Sequence, residues 1–139
     1  MKIQILTTAD YASVDSATGK MNILGIFNRI NAQQFPTTHP RMVLALKLAA
    51  DSPTESGEPR SILLRLTDED GKELFQIATV VQMPRDQFGI RQDANLTIEF
   101  NALEFPHPGT YEFAVLEDGE KIGETVINLV QMPGSVSAK

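Results

Sequence analysis

The chain has 139 residues, a length that suits one domain with its own hydrophobic core. Hydrophobic residues make up 42% and charged residues 22%, as in folded rather than disordered proteins. Twelve basic against eighteen acidic residues give a formal net charge of −6, and the basic residues are scattered, which argues against nucleic acid or an anionic membrane as a partner. The absence of cysteine excludes disulfides, thiolate metal sites and cysteine nucleophiles.

The first residues, MKIQILTTADY, contain an apolar run that is too short and too polar for a signal peptide. No later segment approaches the length needed to span a membrane. We therefore expect a cytoplasmic protein.

Apolar residues alternate with a period of two along nearly the whole chain, which is typical of strands with one buried face. In chain order this pattern predicts strands at Ile3–Ile5, Met21–Ile30, Met42–Leu48, Ile62–Leu66, Leu74–Val81, Leu96–Phe100, Tyr111–Val115 and Ile122–Val130. About eight regularly spaced strands predict an all-β fold, an antiparallel immunoglobulin-like β-sandwich. We assign residues 1–132 to one sandwich domain and residues 133–139 to a frayed tail.

Two Asp-Gly dipeptides predict tight turns between neighbouring antiparallel strands. They are Asp70-Gly71 in LTDEDGKEL and Asp118-Gly119 in VLEDGEKI. In each, Gly71 or Gly119 supplies the positive φ angle that such a turn requires.

The stretch ADYASVDSATGKMNILGIF places Thr18, Gly19 and Lys20 between two apolar runs, which suggests a phosphate-binding loop. A loop of that kind needs a second glycine before the lysine and a helix after it, whereas a strand follows here. We therefore interpret the stretch as a strand connection in which Gly19 adopts an unusual φ angle and Gly25 marks a β-bulge.

Four side chains at loop ends are the candidates for a metal site: His39, His107, Asp68 and Asp70. The histidines lack the spacing of a metal-binding pair, and DEDG lacks the spacing of a helical Ca²⁺ loop. Two acidic clusters lie at predicted turns: Asp68, Glu69 and Asp70 in the first, and Glu117, Asp118 and Glu120 in the second. We interpret both as solvated hairpin tips, and we predict no cofactor.

The segment LEFPHPGTYEF indicates a specific corner of the fold. Pro108 and Gly109 turn the chain directly into Tyr111 at the start of a strand. This resembles the immunoglobulin-like corner in which a tyrosine hydrogen-bonds back to the preceding backbone. Five residues are accordingly assigned structural roles: Tyr111, Gly109, Gly25, Gly71 and Gly119.

Three segments together, ADYASVDSATGKMNILGIFNRI, FPTTHPRMVLALKL and FPHPGTYEFAVLEDGEKIGE, resemble a bacterial family of small single-domain β-sandwich proteins of unknown function. The resemblance extends from about Thr8 to Val130. It implies a compact all-β domain of bacterial or phage type, and it assigns no catalytic residue or ligand.

The sequence contains no recognisable catalytic motif, so we expect a protein-interaction or assembly module rather than an enzyme. Its partner would be another protein or a second copy, bound through an edge strand. The alternative is a domain that binds a small ligand or Ca²⁺ at its loop ends. A third hypothesis, a hydrolase with an unfamiliar site, requires a cleft in which a carboxylate meets His39 or His107.

Overall fold

The computed structural model describes residues 1–51, 59–84 and 88–134, which form two packed β-sheets. The strands are β1 (Lys2–Val14), β2 (Met21–Ile26), β3 (Arg29–Ala32), β4 (Thr37–Ala49), β5 (Pro59–Thr67), β6 (Glu73–Gln82), β7 (Asp93–Phe105), β8 (Gly109–Glu117) and β9 (Glu120–Gln131). The first sheet has the order β2-β1-β4-β7 and the second β3-β9-β8-β5-β6. The all-β prediction is confirmed. Over these ranges, no helix is long and apolar enough to cross a lipid bilayer.

The core lies between the two sheets because each strand directs alternate side chains inward. Strand β4 contributes four fully buried residues, Met42, Leu44, Leu46 and Leu48. The facing strands of the second sheet contribute Ile62, Leu64, Leu66, Tyr111, Phe113, Val115, Ile127 and Leu129. Burying a side chain of this size stabilises the fold by about 1.5–3 kcal/mol. The packed central strands therefore set the positions of the turns at the ends of the sandwich.

The number of strands differs from the prediction of about eight, because the apolar run Met21–Ile30 contains two strands. Strand β2 pairs with β1 in the first sheet, and β3 pairs with β9 in the second. Between them, Phe27 N donates to the carbonyl of Thr8 at 3.1 Å, and the Thr8 hydroxyl donates to the Phe27 carbonyl. These bonds hold the chain where it leaves one sheet for the other. Because the run is divided at this point, the described residues contain nine strands.

The fully antiparallel arrangement was also a wrong prediction. Strand β3 runs parallel to β9, from Arg29 opposite Asn128 to Ala32 opposite Gln131. All the other pairings between strands are antiparallel in the described ranges. The parallel pair arises because the chain crosses from the first sheet to the second and joins it at the free side of β9.

The hairpin of β1 and β2 packs a second, small apolar cluster against the first sheet. The cluster contains Ala12, Val43 and Ala45, with Met21 and Ile23 packed against it. At the hairpin tip, the side-chain amide of Asn95 donates to the carbonyl of Gly19 at 2.9 Å. The hairpin is therefore fastened to β7 as well as to its neighbour β4.

The β-bulge predicted at Gly25 is absent from the pairing. Ile26 pairs with Ala9 and Leu24 with Tyr11, so the register is the same on both sides of Gly25. Gly25 is instead required by its φ angle of 72° and by close packing, since an added Cβ would lie 2.5 Å from Oδ2 of Asp10. Of the predicted tail, residues 135–139 lie outside the described residues.

Candidate functional site

A buried tyrosine organises the corner between β7 and β8. The hydroxyl of Tyr111 donates to the carbonyl of His107 at 2.6 Å and accepts from its backbone N–H at 3.2 Å. The ring contacts Phe105 edge-on, with centroids 5.1 Å apart, and stacks on the imidazole of His107 at 5.5 Å. The corner hydrogen bond suggested by the sequence is therefore present, and it fixes the position of His107.

The β5–β6 turn is organised by Asp68, which is only 7% exposed. Its Oδ1 accepts the backbone N–H groups of Asp70 and Lys72, each at 2.9 Å. The bond from the Lys72 N–H is the largest cause that lowers the pKa of Asp68, and the contacts with His107 and the Asp70 N–H act in the same direction. Asp68 is therefore held as a carboxylate.

The two turns meet through Asp68 and His107. The Nε2 of His107 lies 3.3 Å from Oδ2 of Asp68, while its Nδ1 lies 2.9 Å from the carbonyl of Pro108. Both partners are acceptors, so the arrangement favours an imidazole that carries a proton on each nitrogen. Accordingly, the Pro108 carbonyl first and then Asp68 raise the pKa of His107.

The neighbouring glycine, Gly109, lies against the side chain of Glu69. Gly109 has a φ angle of 141°, and an added Cβ would lie 2.1 Å from Oε1 of Glu69. The missing side chain leaves room for Glu69, which follows Asp68 in the chain. Nothing in the sequence pattern signals this contact, because the two residues are 40 positions apart.

A cleft of about 410 Å³ opens beside the Asp68 and His107 pair. Its apolar wall consists of Leu74 and Phe75 from β6 and Leu103 from β7, with Pro106 next to them. The polar groups at the cleft are Asp68, His107, Lys72 and Glu104. A concave apolar surface with a few convergent polar groups is the usual form of a ligand site. The carboxylate and histidine contact that the hydrolase hypothesis requires is also found here.

The four predicted metal candidates do not come together as one site. Asp68 meets His107, but Asp70 enters the turn through its backbone N–H. His39 lies on β4 with its ring 5.6 Å from that of Phe27. Among the described residues, no group of three or more His, Asp or Glu side chains is placed to hold a metal ion.

The glycine and lysine stretch of the first hairpin forms a turn rather than a phosphate-binding loop. Oδ1 of Asp15 accepts the N–H groups of Ala17 at 2.8 Å and of Thr18 at 3.2 Å. Gly19 has a φ angle of 73° and donates its N–H to the carbonyl of Asp15. Strand β2 begins immediately afterwards, so no helix N-terminus is available for a phosphate.

The edge strand β2 carries the most exposed apolar pair on any strand of the first sheet within the described ranges. Leu24 is 63% exposed and Ile26 is 65% exposed. They lie two residues apart, on either side of Gly25. This strand is the second candidate site of the molecule.

Solved structures of similar fold include two enzymes. This chain matches Pseudomonas fluorescens alkylpurine DNA glycosylase AlkC bound to DNA containing an abasic site analog, with a TM-score of 0.51 and 16% identity, over 93% of this chain and 30% of that one. It also matches Listeria innocua beta-glucosidase in complex with isofagomine, with a TM-score of 0.51 and 9% identity, over 92% of this chain and 17% of that one. At such identities the likeness shows the fold alone.

These matches overturn the prediction that the protein is not an enzyme. That prediction relied on a β-sandwich without a catalytic motif, and a domain of this fold is part of both enzymes. The chain spans less than a third of the length of either protein. A β-sandwich without a recognisable catalytic motif can therefore belong to an enzyme as well as to a protein of another class.

Sequence comparison gives one family. No curated protein matches the chain. The model of a family of unknown function, DUF6941, matches residues 4–130, a range that contains all three segments on which the resemblance was based. The predicted resemblance to a family of small all-β proteins of unknown function is confirmed, while a bacterial or phage origin stays a prediction.

Proposed function

Given that this chain belongs to DUF6941, a family of unknown function, we propose that it is a protein-assembly module that pairs through its edge strand β2. The observation that carries the proposal is the exposed pair Leu24 and Ile26 on that strand. Edge strands present unpaired N–H and C=O groups, and natural sheets protect them with charges, prolines or bulges. Strand β2, with the sequence MNILGI, has none of these protections.

The occupant that we propose is β2 of a second copy. The chain has a net charge of −6, which opposes the approach of two copies, but β2 itself carries no charged residue. In a dimer with two-fold symmetry, β2 of one copy pairs with β2 of the other. Leu24 and Ile26 of both chains are then shielded from water by the same contact. Covering one such side chain contributes about 1.5–3 kcal/mol.

The immunoglobulin-like classification of the sandwich is part of this proposal. Two observations support it: the hydrogen bond of Tyr111 across the β7–β8 corner, and the neighbouring order of β9, β8 and β5 in one sheet. Sandwiches of this kind are open, so their edges are available for strand addition. A cytoplasmic location stays a prediction from the sequence.

The test is the oligomeric state of the full chain by sedimentation equilibrium over a concentration series. We expect a concentration-dependent dimer for the wild type and a monomer for Leu24→Lys. The matched control is Val80→Lys, because Val80 is also 63% exposed but lies on β6, an edge of the other sheet. A wild type that stays monomeric at the highest concentration, or a dimer that Val80→Lys alone abolishes, would contradict the proposal.

A second candidate function is the binding of a small ligand in the cleft beside Asp68 and His107. The observation that favours it is the meeting of these two side chains at an apolar cleft of about 410 Å³. A fragment screen by NMR, with the methyl groups of Leu74 and Leu103 as reporters, tests it directly. Fragments that shift these methyl signals in the wild type but not in Leu103→Trp would support it, and a screen without such fragments would count against it.

A further inference from the structure

The outer edge of β6 has none of the features that usually protect an edge strand. In the described ranges β6 pairs with β5 alone and ends the second sheet. Its segment LFQIATVV, residues 74–81, contains no charged residue, proline or glycine. Such an edge presents N–H and C=O groups that can pair with a further strand. Strand β7, an edge of the first sheet, differs because it carries Asp93, Glu99 and Glu104.

The core is incompletely covered along this edge. Phe75 and Ile77 pack against the core from β6, yet both side chains are only half-buried. Their cross-strand partners on β5, Leu66 and Leu64, are fully buried. The inner face of the second sheet therefore extends beyond the part that the first sheet covers, and one further strand would find apolar side chains to pack on.

The cleft lined by Leu74, Phe75 and Leu103 opens on this same side of the sandwich. The rings of Phe75 on β6 and Phe100 on β7 lie 5.5 Å apart, so the edge strands of the two sheets face each other. A strand added to β6 lies about 4.8 Å from it, and its inward side chains become neighbours of Phe75. Such a strand can therefore place one side chain in the cleft.

The charged groups that line the cleft are balanced. Lys72 and His107, whose two ring nitrogens face acceptors, are the cations, and Asp68 and Glu104 are the carboxylates. The cleft therefore selects neither sign of charge. Its apolar wall and the uncharged edge beside it favour a ligand that is uncharged and apolar where it touches the cleft.

A second copy of β6 does not suit this site. The inward side chains of that strand, Phe75, Ile77 and Val81, already pack in the core of their own chain. They cannot also fill the cleft of a neighbouring copy. A segment that lies outside a folded domain has both faces available, so it can pair its backbone with β6 and insert a side chain at the same time.

We propose that β6 and the cleft together bind an extended, uncharged segment of another protein with an apolar side chain, such as leucine, at its centre. The segment adds a strand to the second sheet through backbone hydrogen bonds, and the leucine side chain occupies the cleft. This surface is separate from the β2 edge of the first sheet, so a monomeric wild type would leave it unaffected. It shares the cleft with the small-ligand candidate, from which it differs in requiring the β6 backbone.

The test is a titration of the full chain with the peptide acetyl-Thr-Val-Thr-Leu-Thr-Val-Thr-amide, followed by NMR. We expect shifts of the backbone amide signals of Gln76 and Ala78 on β6, and of the methyl signals of Leu74 and Leu103 in the cleft. A peptide with lysine in place of the central leucine should bind at least about tenfold more weakly, because its side chain does not fill an apolar cleft.

Two N-methylated peptides distinguish strand pairing from binding of a side chain alone. One carries N-methyl groups on the two threonines next to the leucine, and the other carries them on the two valines. Successive residues of a strand direct their N–H groups to opposite sides, so only one of these peptides loses its hydrogen bonds to β6. We expect one to bind like the parent peptide and the other at least about tenfold more weakly.

Two variants of the chain locate the binding. Leu103→Trp should weaken binding of the parent peptide at least about tenfold, because the larger ring occupies the cleft. The control Leu24→Lys, on β2, should leave it unchanged. The comparison of the N-methylated peptides uses the wild type, so it holds even where Leu103→Trp does not fold.

Four results would overturn the proposal. The first is no shift with the parent peptide, and the second is equal binding of the two N-methylated peptides. The third is binding of 4-methylpentanamide as tight as that of the peptide without shifts at Gln76 and Ala78, since that result indicates a small ligand. The fourth is a shift of these two amide signals when the chain alone is concentrated, since that result indicates a second copy.

Discussion

The two Asp-Gly turns of the second sheet share a dipeptide and differ in almost everything else. The β8–β9 turn consists of Asp118 and Gly119 alone, with φ angles of 52° and 78°, and both residues are exposed. Positive φ at both central positions is the geometry of a type I′ turn. The β5–β6 turn is longer, and its Asp68 is buried against the β7–β8 corner.

The difference shows that the dipeptide specifies a reversal of the chain but not the surroundings of the turn. In β8–β9 the two turn residues are exposed and join paired strands directly. In β5–β6 the carboxylate of Asp68 serves two backbone N–H groups and also faces His107. Of the two turns, β5–β6 is the one that contributes to the cleft beside His107. Variants that affect the two turns unequally test this difference.

The largest effect is expected from Asp68→Ala, which removes the acceptor of two backbone N–H groups at a mostly buried position. We expect the melting temperature to fall by about 6 °C, measured by circular dichroism. The matched variant in the other turn, Asp118→Ala, should lower it by no more than about 3 °C. Equal decreases would remove the distinction between the turns.

Next in size is Gly109→Ala, at the corner that the β5–β6 turn contacts. A φ angle of 141° strains any other residue, and the added Cβ meets Glu69. We expect a loss of about 2 kcal/mol in the free energy of unfolding by urea. Gly119→Ala, with a φ angle of 78° and open space around it, should lose about 1 kcal/mol. Adding Glu69→Ala should restore part of the loss at Gly109 only.

A smaller effect is expected from pH. The pKa of His107 is raised in the folded chain, so its contribution to stability is fully present below the unfolded value of about 6.5. It is lost as the pH rises through the folded pKa. We expect the melting temperature of the wild type to exceed that of His107→Gln at a pH below about 6.5, and this difference to shrink by about 2 °C as the pH rises through the folded pKa of His107. A difference that grows with pH would contradict the assignment.

The smallest effect is expected from metal ions. Oδ1 of Asp68 already accepts two N–H groups, and no third ligand joins Asp68 and His107 among the described residues. Melting with EDTA, Ca²⁺ or Zn²⁺ should therefore change the midpoint by less than about 1 °C. A rise with Ca²⁺ that Asp68→Ala abolishes would revive the alternative of a Ca²⁺ site.

Much of the fold could be predicted because alternation records which face of each strand is buried. Met42, Leu44, Leu46 and Leu48 read directly as a core strand, and they are fully buried. The candidate site was less predictable. His107 and Asp68 were chosen as separate loop residues, and their contact joins positions 39 residues apart that no local pattern connects.

The sequence by itself determined the local features: the strand periodicity, the two Asp-Gly turns and the tyrosine at the start of β8. These depend on side-chain alternation and on φ angles, which are properties of neighbouring residues. Only the tertiary structure decided that the run Met21–Ile30 divides between two sheets, that β3 runs parallel to β9, and that Asp68 meets His107. Those outcomes depend on which strands pack and pair across the whole chain, and the period of a single strand carries no information about its partner.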